Sequence, residues 1–235
     1  MLALKPIGRV HSPYREKFGT PRQANIVSAV EMQLELLPPF DVVDAVRGLE
    51  QFSHVWLLFW FDQVPESEHF QPLVRPPRLG GNEKVGVFAS RSPFRPNPVG
   101  LSLLELLDIK TDNGVRLYLR GGDLVDGTPV FDIKPYIPYA DTAFNARGGF
   151  AAQAPEPLTV SWQESAFADL HQWCVRNNNS VESWRMMIEQ TLAQDPRPAY
   201  HDEPQREYGL TLGALNIRFT ISQQQVMIVA LQTSA

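Results

Sequence analysis

One loop of the chain has residue types that suit the binding of an anionic or carboxylate-bearing ligand. It runs Arg91-Ser-Pro-Phe-Arg-Pro-Asn-Pro98. Its prolines fix φ and restrict the residues that precede them, so we expect a stiff loop. Donors held on a stiff scaffold lose little entropy on binding, and the candidates are Arg91, Ser92, Arg95 and Asn97. A rigid crossover whose arginines pair with acidic residues is the alternative interpretation.

A second cluster combines acidic residues with a lysine in the turn-rich segment 121–136. It contains Asp123, Asp126, Asp132 and Lys134. One carboxylate could bind ligand hydroxyls or an ammonium group, while another accepts a proton or hydrogen bond from a substrate amine. The spacing does not fit an EF-hand, which needs alternating oxygen ligands and a terminal Glu. Because Asp126-Gly-Thr-Pro is also a typical turn, ordinary exposed loop acids are the alternative.

Basic residues are concentrated locally, although the whole chain is acidic. The net charge is −5 and the pI is about 5.6, so any contact with RNA would need a local patch. Phosphate contacts or base stacking are one interpretation of these residues, and solvated loop side chains are the other. The candidates are Arg75, Arg78, Lys84, Arg91 and Arg95 in one stretch, Arg15, Lys17 and Arg22 in another, and Arg197 and Tyr200 in the proline turn 194–200.

Several classes of protein are excluded by composition and by missing motifs. The single cysteine, Cys174, rules out an intramolecular disulfide, a multi-cysteine zinc site and the three-cysteine cluster of radical chemistry. The histidines show no paired spacing, so we expect no metal site. There is no glycine fingerprint of a Rossmann site, no P-loop and no nucleophile elbow. The longest apolar run, Val55–Phe61, is too short to span a bilayer and no signal peptide is evident, so we expect a cytoplasmic protein that does not contact membranes.

The elements before residue 160 are predicted to be mainly β. Prolines and glycines are too frequent there for helices of ordinary length, apart from one short helix at 40–50. Asp112-Asn-Gly114 between two apolar runs predicts a hairpin turn. Six or seven strands without long helices between them favour an antiparallel barrel, which leaves no exposed edges. The predicted strands are Lys5–Arg9, Met32–Leu36, Val55–Phe61, Lys84–Ala89, Leu101–Ile109, Arg116–Leu119 and Val130–Pro135.

The pattern changes to helical periodicity beyond Gly148-Gly149. Apolar residues at helical spacing predict helices at Glu164–Arg176 and Ser180–Ala193. Alternating residues at 213–221 and 226–231 predict a terminal hairpin. We therefore expect a mainly β protein with a β-barrel domain at 1–148 and a small C-terminal α+β domain at 149–235.

Taken together, the motifs resemble the TrmO family, also called YaeB or TsaA-like. The resemblance runs in order through nearly the whole chain, and its motifs are long enough to be specific as a set. They are Ser12-Pro-Tyr14, Pro21-Arg-Gln23, Ala45–Glu50, Phe52-Ser-His54, Arg75-Pro-Pro-Arg78, the Arg91–Pro98 loop, Asp123–Tyr136 and Gln194–Tyr200.

The resemblance implies an enzyme that methylates N6 of threonylcarbamoyladenosine, the modified base next to the tRNA anticodon, with S-adenosylmethionine as the methyl donor. It also implies an antiparallel barrel and a homodimer with the cofactor near the subunit interface. Asp126 or Asp132 is expected to accept a hydrogen bond from the substrate amine, with Lys134 and Tyr136 shaping the pocket. The implied cofactor contacts are Pro21, Arg22, Gln23, Phe61, Asp62, Arg91, Leu101, Asp123, Leu124, Val125 and Asp126.

Two other functions are compatible with the same residues. A barrel could bind a nucleotide-like ligand or RNA without catalysing transfer. A hydrolase or lyase could use the carboxylates of 123–132 on a small substrate, although the basic stretch 75–95 weighs against it.

Overall fold

The structure is a computed structural model that describes residues 4–65, 69–197 and 206–233. Six antiparallel strands form a closed barrel in the order β1-β2-β7-β6-β3-β8, and β8 pairs with β1 to close it. The strands of the described residues are β1 Gly8–His11, β2 Glu31–Leu36, β3 His54–Trp60, β4 Leu73–Val74, β5 Val85–Gly86, β6 Val99–Lys110, β7 Arg116–Arg120, β8 Pro129–Pro135, β9 Thr159–Trp162, β10 Glu207–Leu212, β11 Leu215–Ser222 and β12 Gln225–Thr233.

Alternating side chains of the barrel strands fill its interior. In β3, Val55, Leu57 and Phe59 point inward and are buried, whereas the residues between them are partly exposed. Close packing requires a glycine opposite this strand, because a Cβ at Gly100 would lie 2.1 Å from the ring of Phe59. The barrel core is therefore built from alternate residues of each strand, although β3 itself is a continuous apolar run in the sequence.

The C-terminal part forms a four-stranded sheet covered by two helices. The sheet order is β10-β11-β12-β9, with β9 parallel to β12 and the other pairs antiparallel. The helices are α2 Glu164–Arg176 and α3 Val181–Ala193, and the short α1 Pro138–Asp141 follows the barrel. The side chain of Ser180 caps α3 by accepting a hydrogen bond from Ser183 N. No described helix is long and apolar enough to cross a membrane.

The predicted fold class is confirmed, with local differences. The strand predicted at Lys5–Arg9 lies later, at Gly8–His11. The strand predicted at Lys84–Ala89 is wrong, because only Val85–Gly86 pairs, with Leu73–Val74, and a 3-10 turn follows at Val87–Ala89. The helix predicted at 40–50 is also wrong. Two 3-10 turns, Val43–Val46 and Leu49–Gln51, lie there instead, separated by Gly48 at φ +85°.

The second hydrophobic core includes residues from the N-terminal part of the chain. Tyr14, Val27 and Val30 are buried together with Leu170 of α2 and Ile188 of α3. Residues 12–30, the connection from β1 to β2, thus pack against the C-terminal elements. A division of the chain at 148/149 stays a prediction.

Candidate active site

The candidate cofactor residues gather at the end of the barrel where β3 stops and β6 begins. Phe61 N, just after β3, donates a 2.8 Å hydrogen bond to Pro98 O at the end of the proline-rich loop. Ser102 of β6 faces Asp123, which follows the Gly121-Gly122 turn after β7. This end of the barrel therefore brings together segments that are far apart in sequence.

Arg91 and Gln23 connect the proline-rich loop to the 12–30 connection. Arg91 Nη1 donates a hydrogen bond to Gln23 Oε1, and Gln23 Nε2 donates to the backbone oxygen of Arg22. Arg91 is exposed, so its other guanidinium donors can reach a ligand. The structure places these two predicted cofactor residues side by side.

Asp123 is a partly buried carboxylate at the centre of this cluster. Ser102 Oγ donates a 2.6 Å hydrogen bond to Asp123 Oδ1. Burial raises the pKa of Asp123 to about 6, while the Ser102 hydrogen bond, the Arg91 charge and the Ala24 backbone N–H act in the opposite direction. The negative charge of Asp123 is thus incompletely compensated, and a bound cation would stabilise it.

A tight backbone contact fixes Asp123 relative to the 12–30 connection. Asn25 N donates to Gly121 O at 2.7 Å, and Asn25 Nδ2 donates to Leu103 O at 2.9 Å. Gly121 has φ +81°, and a Cβ there would lie 2.2 Å from Asn25 Oδ1. Only glycine fits this position, so the turn that leads to Asp123 depends on it.

Asp126 joins the same turn to the start of the 12–30 connection. Its carboxylate accepts hydrogen bonds from Ser12 N and from Arg15 Nη1, both at 2.9 Å. Its backbone N donates to Tyr14 O at 2.8 Å. Between the two acids, Leu124 is buried in the barrel core, and Val125 O accepts hydrogen bonds from Thr128.

Asp132 and Lys134 lie on β8 and Tyr136 directly follows it, and none of their described hydrogen bonds or ion pairs involves Arg91 or Gln23. Asp132 Oδ2 and Lys134 Nζ form a 3.0 Å ion pair. Tyr136 N donates to His54 O, at the end of β3 away from Phe61. These predicted catalytic residues therefore extend away from the cofactor cluster within one chain.

The remaining predicted contacts surround the cluster with differing exposure. Pro21 is buried, and Phe61 packs edge-to-face on Phe59 with the ring centroids 5.0 Å apart. Arg22 and Asp62 are exposed, and Leu101 is 53% exposed on the outer face of β6.

The proline turn after α3 also approaches this region. Arg197 donates from Nε and Nη2 to the carboxylate of Asp195, at 2.8 and 2.9 Å. Burial raises the pKa of Asp195, but Arg197 and the charge of Arg22 outweigh it and hold that pKa below its usual value. Tyr200, a predicted RNA contact, lies outside the described residues.

Ser102, Asn25 and Lys17 support the cluster, and the sequence did not single out the first two. Lys17 Nζ donates to Gln63 O at 2.7 Å and so ties the 12–30 connection to the segment after β3. The glycine pair at 121–122 was a usable signal of close backbone approach, but its partner Asn25 could not be identified from it. Within the described ranges, no group of three or more His, Cys, Asp or Glu is arranged to hold a metal ion.

The comparisons with known proteins agree with the fold and the motifs. The chain matches the tRNA-methyltransferase O N-terminal domain over residues 9–142 and the TrmO C-terminal domain over 155–234. It is 43% identical over 230 residues to the tRNA (adenine(37)-N6)-methyltransferase of Escherichia coli strain K12, with 96% of each chain covered. It is 49% identical over 218 residues to a Pseudomonas aeruginosa protein named as a candidate S-adenosylmethionine-dependent methyltransferase, covering 92% of this chain and 91% of that one. The crystal structure of TrmO from Pseudomonas aeruginosa superposes with a TM-score of 0.81 at 39% identity, covering 99% of this chain and 98% of the other. The chain therefore belongs to the tRNA-methyltransferase O family.

Proposed function

We propose that this protein transfers the methyl group of S-adenosylmethionine to N6 of threonylcarbamoyladenosine, next to the anticodon of tRNA. The observation that carries the proposal is the convergence of Gln23, Arg91 and Asp123 at one end of the barrel. Family membership supports the methyltransferase activity, because the E. coli relative is named for N6 of adenine 37 in tRNA. The name of that relative does not specify a threonylcarbamoyl group, so this part of the substrate is our own proposal.

The residues present fit S-adenosylmethionine. Its sulfonium supplies an electrophilic methyl group. Asp123 is a partly buried carboxylate, and its burial disfavours the negative charge. It is therefore suited to balance a cationic group. Arg91 offers guanidinium donors to a carboxylate, and Gln23 orients Arg91 through their hydrogen bond. Pro21, Arg22, Phe61, Asp62, Leu101 and the 123–126 turn complete the proposed contacts.

The chemistry requires orientation of a weak nucleophile more than strong acid–base catalysis. The N6 lone pair is delocalised into the ring, so N6 must be held in line with the methyl group while its proton is accepted. Asp126 and Asp132 are the two proposed acceptors, and Lys134 and Tyr136 shape the pocket. Asp126 already accepts from Ser12 N and Arg15, and Asp132 pairs with Lys134. Either carboxylate is therefore held in a fixed orientation.

The outer face of β3 and β6 is a candidate dimer surface, and it adjoins the outer face of β8 that carries Asp132 and Lys134. Several outward side chains of β3 and of the start of β6 are apolar, namely Trp56, Leu58, Trp60 and Leu101. Large exposed aromatics follow β8, with Tyr139 88% and Phe144 90% exposed. Contiguous apolar surface of this kind typically mediates association. We infer that two copies pair through this face.

The tRNA is proposed to bind along the basic residues around the cluster. Arg15, Lys17 and Arg22 are exposed on the 12–30 connection, and Arg91 is exposed beside them. Phosphate contacts of this kind give salt-dependent affinity. The substrate also supports a cytoplasmic location, where the single free thiol of Cys174 would stay reduced.

Labelled methyl incorporation tests the activity. Purified protein is incubated with labelled S-adenosylmethionine and total tRNA from cells that contain or lack threonylcarbamoyladenosine. We expect incorporation only with the modified tRNA. Cofactor binding without incorporation into either tRNA would instead favour a barrel that binds a nucleotide-like ligand without catalysis.

A further inference from the structure

The 12–30 connection carries the proposed cofactor residues Pro21–Gln23 but packs on the C-terminal domain. Tyr14 and Val30 are completely buried, and Val27 almost so, in the same core as residues of α2, α3 and β10. Gly19 has φ +81°, and a Cβ there would lie 2.2 Å from Leu210 Cδ1 of β10. The connection is therefore held from outside the barrel.

Its beginning is fixed by backbone and side-chain contacts to the C-terminal domain. Tyr14 forms an isolated β-bridge with Leu212, and Gly213 N donates to Pro13 O at 2.7 Å. The hydroxyls of Tyr14 and Thr191 are joined by a buried 3.1 Å hydrogen bond. Tyr14 O also accepts from Asp126 N, so this anchor reaches the 123–126 turn directly.

Its end is fixed by a glutamine on α3. Gln190 Oε1 accepts a 2.9 Å hydrogen bond from Ala29 N and a 3.4 Å hydrogen bond from Ser28 Oγ. The described hydrogen bonds of Gln190 involve none of the proposed cofactor residues. Gln190 binds the connection only a few residues beyond Ala24 and Asn25, which contact Asp123 and Gly121.

A connection of this length would otherwise lose much conformational entropy when Gln23 and Ala24 are placed against Arg91 and Asp123. Anchors at both ends remove most of that loss before the cofactor arrives, and preorganised contacts bind more tightly. The structure assigns to the C-terminal domain the role of positioning the cofactor-binding connection, with Gln190 as a positioning residue. This inference rests on the proposed cofactor site.

A set of glutamine variants tests the role. Gln190→Met keeps the side-chain size but removes the acceptor, whereas Gln190→Glu keeps an acceptor oxygen. Gln225→Met is the matched control, because Gln225 is an exposed residue of the same domain that bonds Ser161 away from the connection. The readouts are hydrogen exchange at the amides of Ala24 and Asn25, the Kd for S-adenosylmethionine by calorimetry, the KM for each substrate and the thermal midpoint.

Loss of the part-buried hydrogen bond from Ala29 N, together with the weaker exposed one from Ser28 Oγ, predicts changes of about 3- to 10-fold. In Gln190→Met we expect faster exchange at Ala24 and Asn25 and a higher Kd and KM for S-adenosylmethionine. Gln190→Glu should keep most of the wild-type exchange protection and cofactor affinity, and Gln225→Met should match the wild type in both.

Unchanged exchange at Ala24 and Asn25 in Gln190→Met overturns the inference, whatever the activity. A lower thermal midpoint with an unchanged Kd also overturns it, because Gln190 would then serve only domain cohesion. Wild-type protein that binds S-adenosylmethionine but methylates no tRNA would contradict the proposed function and leave the positioning role supported by exchange and Kd.

Discussion

The Ser102 hydroxyl donates a 2.6 Å hydrogen bond to the Asp123 carboxylate and so links the start of β6 to the segment after β7. This hydrogen bond and the charge of Arg91 favour ionised Asp123, but burial outweighs them and raises its pKa to about 6. The fold therefore disfavours the charged form of Asp123 relative to the unfolded chain, although a carboxyl group with a pKa of about 6 is still mostly ionised at neutral pH. A cationic ligand would stabilise that charged form.

Asp123→Asn should stabilise the protein at neutral pH and weaken cofactor binding. Because the folded pKa, about 6, is above the usual 3.8, the folded state binds more protons between these values. The contribution of Asp123 to the unfolding free energy should therefore be largest below pH about 4 and fall by roughly 1–3 kcal/mol as the pH rises from about 4 through about 6. Asp123→Asn should lack this loss, as measured by urea unfolding at several pH values.

The exposed Asp169 of α2 provides the control, since Asp169→Asn should retain the pH-dependent loss. The same slope in Asp123→Asn as in the wild type would show that Asp123 has no raised pKa.

Arg91→Ala should lower kcat/KM for S-adenosylmethionine by about 10-fold or more while leaving the thermal midpoint nearly unchanged. Arg91 is exposed and its one described side-chain hydrogen bond is to Gln23, so little folding energy depends on it. A charge-assisted contact to the cofactor would be lost. Arg176→Ala is the control, because Arg176 is an exposed arginine bonded to Gln172 far from the site. A large fall in the midpoint with unchanged kcat/KM would mean that Arg91 only holds the loop together.

Tyr14 of the 12–30 connection and Thr191 of α3 should be energetically coupled through their buried hydrogen bond. Tyr14→Phe and Thr191→Val should each cost about 1 kcal/mol of unfolding free energy, because each leaves the buried hydroxyl of the other residue without its hydrogen-bond partner. The double variant should be less destabilised than the sum, with a coupling of about 1 kcal/mol in a double-mutant cycle. Strict additivity would contradict the hydrogen bond.

Leu58→Glu should convert a homodimer into monomers. Leu58 lies on the apolar outer face of β3, and a carboxylate buried there would weaken association by about 100-fold or more. Sedimentation velocity at micromolar concentration measures this, with Gln33→Glu on the outer face of β2 as the control. Wild-type protein that sediments as a monomer, or a Leu58→Glu dimer of unchanged affinity, would exclude this face.

The parts of the fold that follow from local pattern were predictable from the sequence. Runs rich in Val, Ile, Leu and Phe between turn residues identified most barrel strands, and helical periodicity identified α2 and α3. The segment 84–89 resembled a strand because its residues are apolar, but it pairs over only Val85–Gly86. Apolar content alone does not reveal whether a partner strand is within reach.

The types of residue in the site could be predicted from the sequence, but the residues that each of them contacts could not. Arg91 and Asp123 stood out as a donor and an acid, whereas the contacts of Asp123 with Ser102 and Ala24 depend on pairing between distant segments. Tyr14 lies in a loop with the composition of a solvated surface segment, yet it is completely buried against α3 and β10. Such burial is set by domain packing, which no local window contains.

Conversion of one defined nucleoside tests the proposed activity most directly. Wild-type protein is incubated with S-adenosylmethionine and tRNA that carries threonylcarbamoyladenosine, and the tRNA is digested and analysed by liquid chromatography and mass spectrometry. We expect threonylcarbamoyladenosine to be converted to its N6-methyl derivative by the wild type and much more slowly by Arg91→Ala. A methyl group on any other nucleoside, or unconverted threonylcarbamoyladenosine with protein that binds the cofactor, would contradict the proposed reaction.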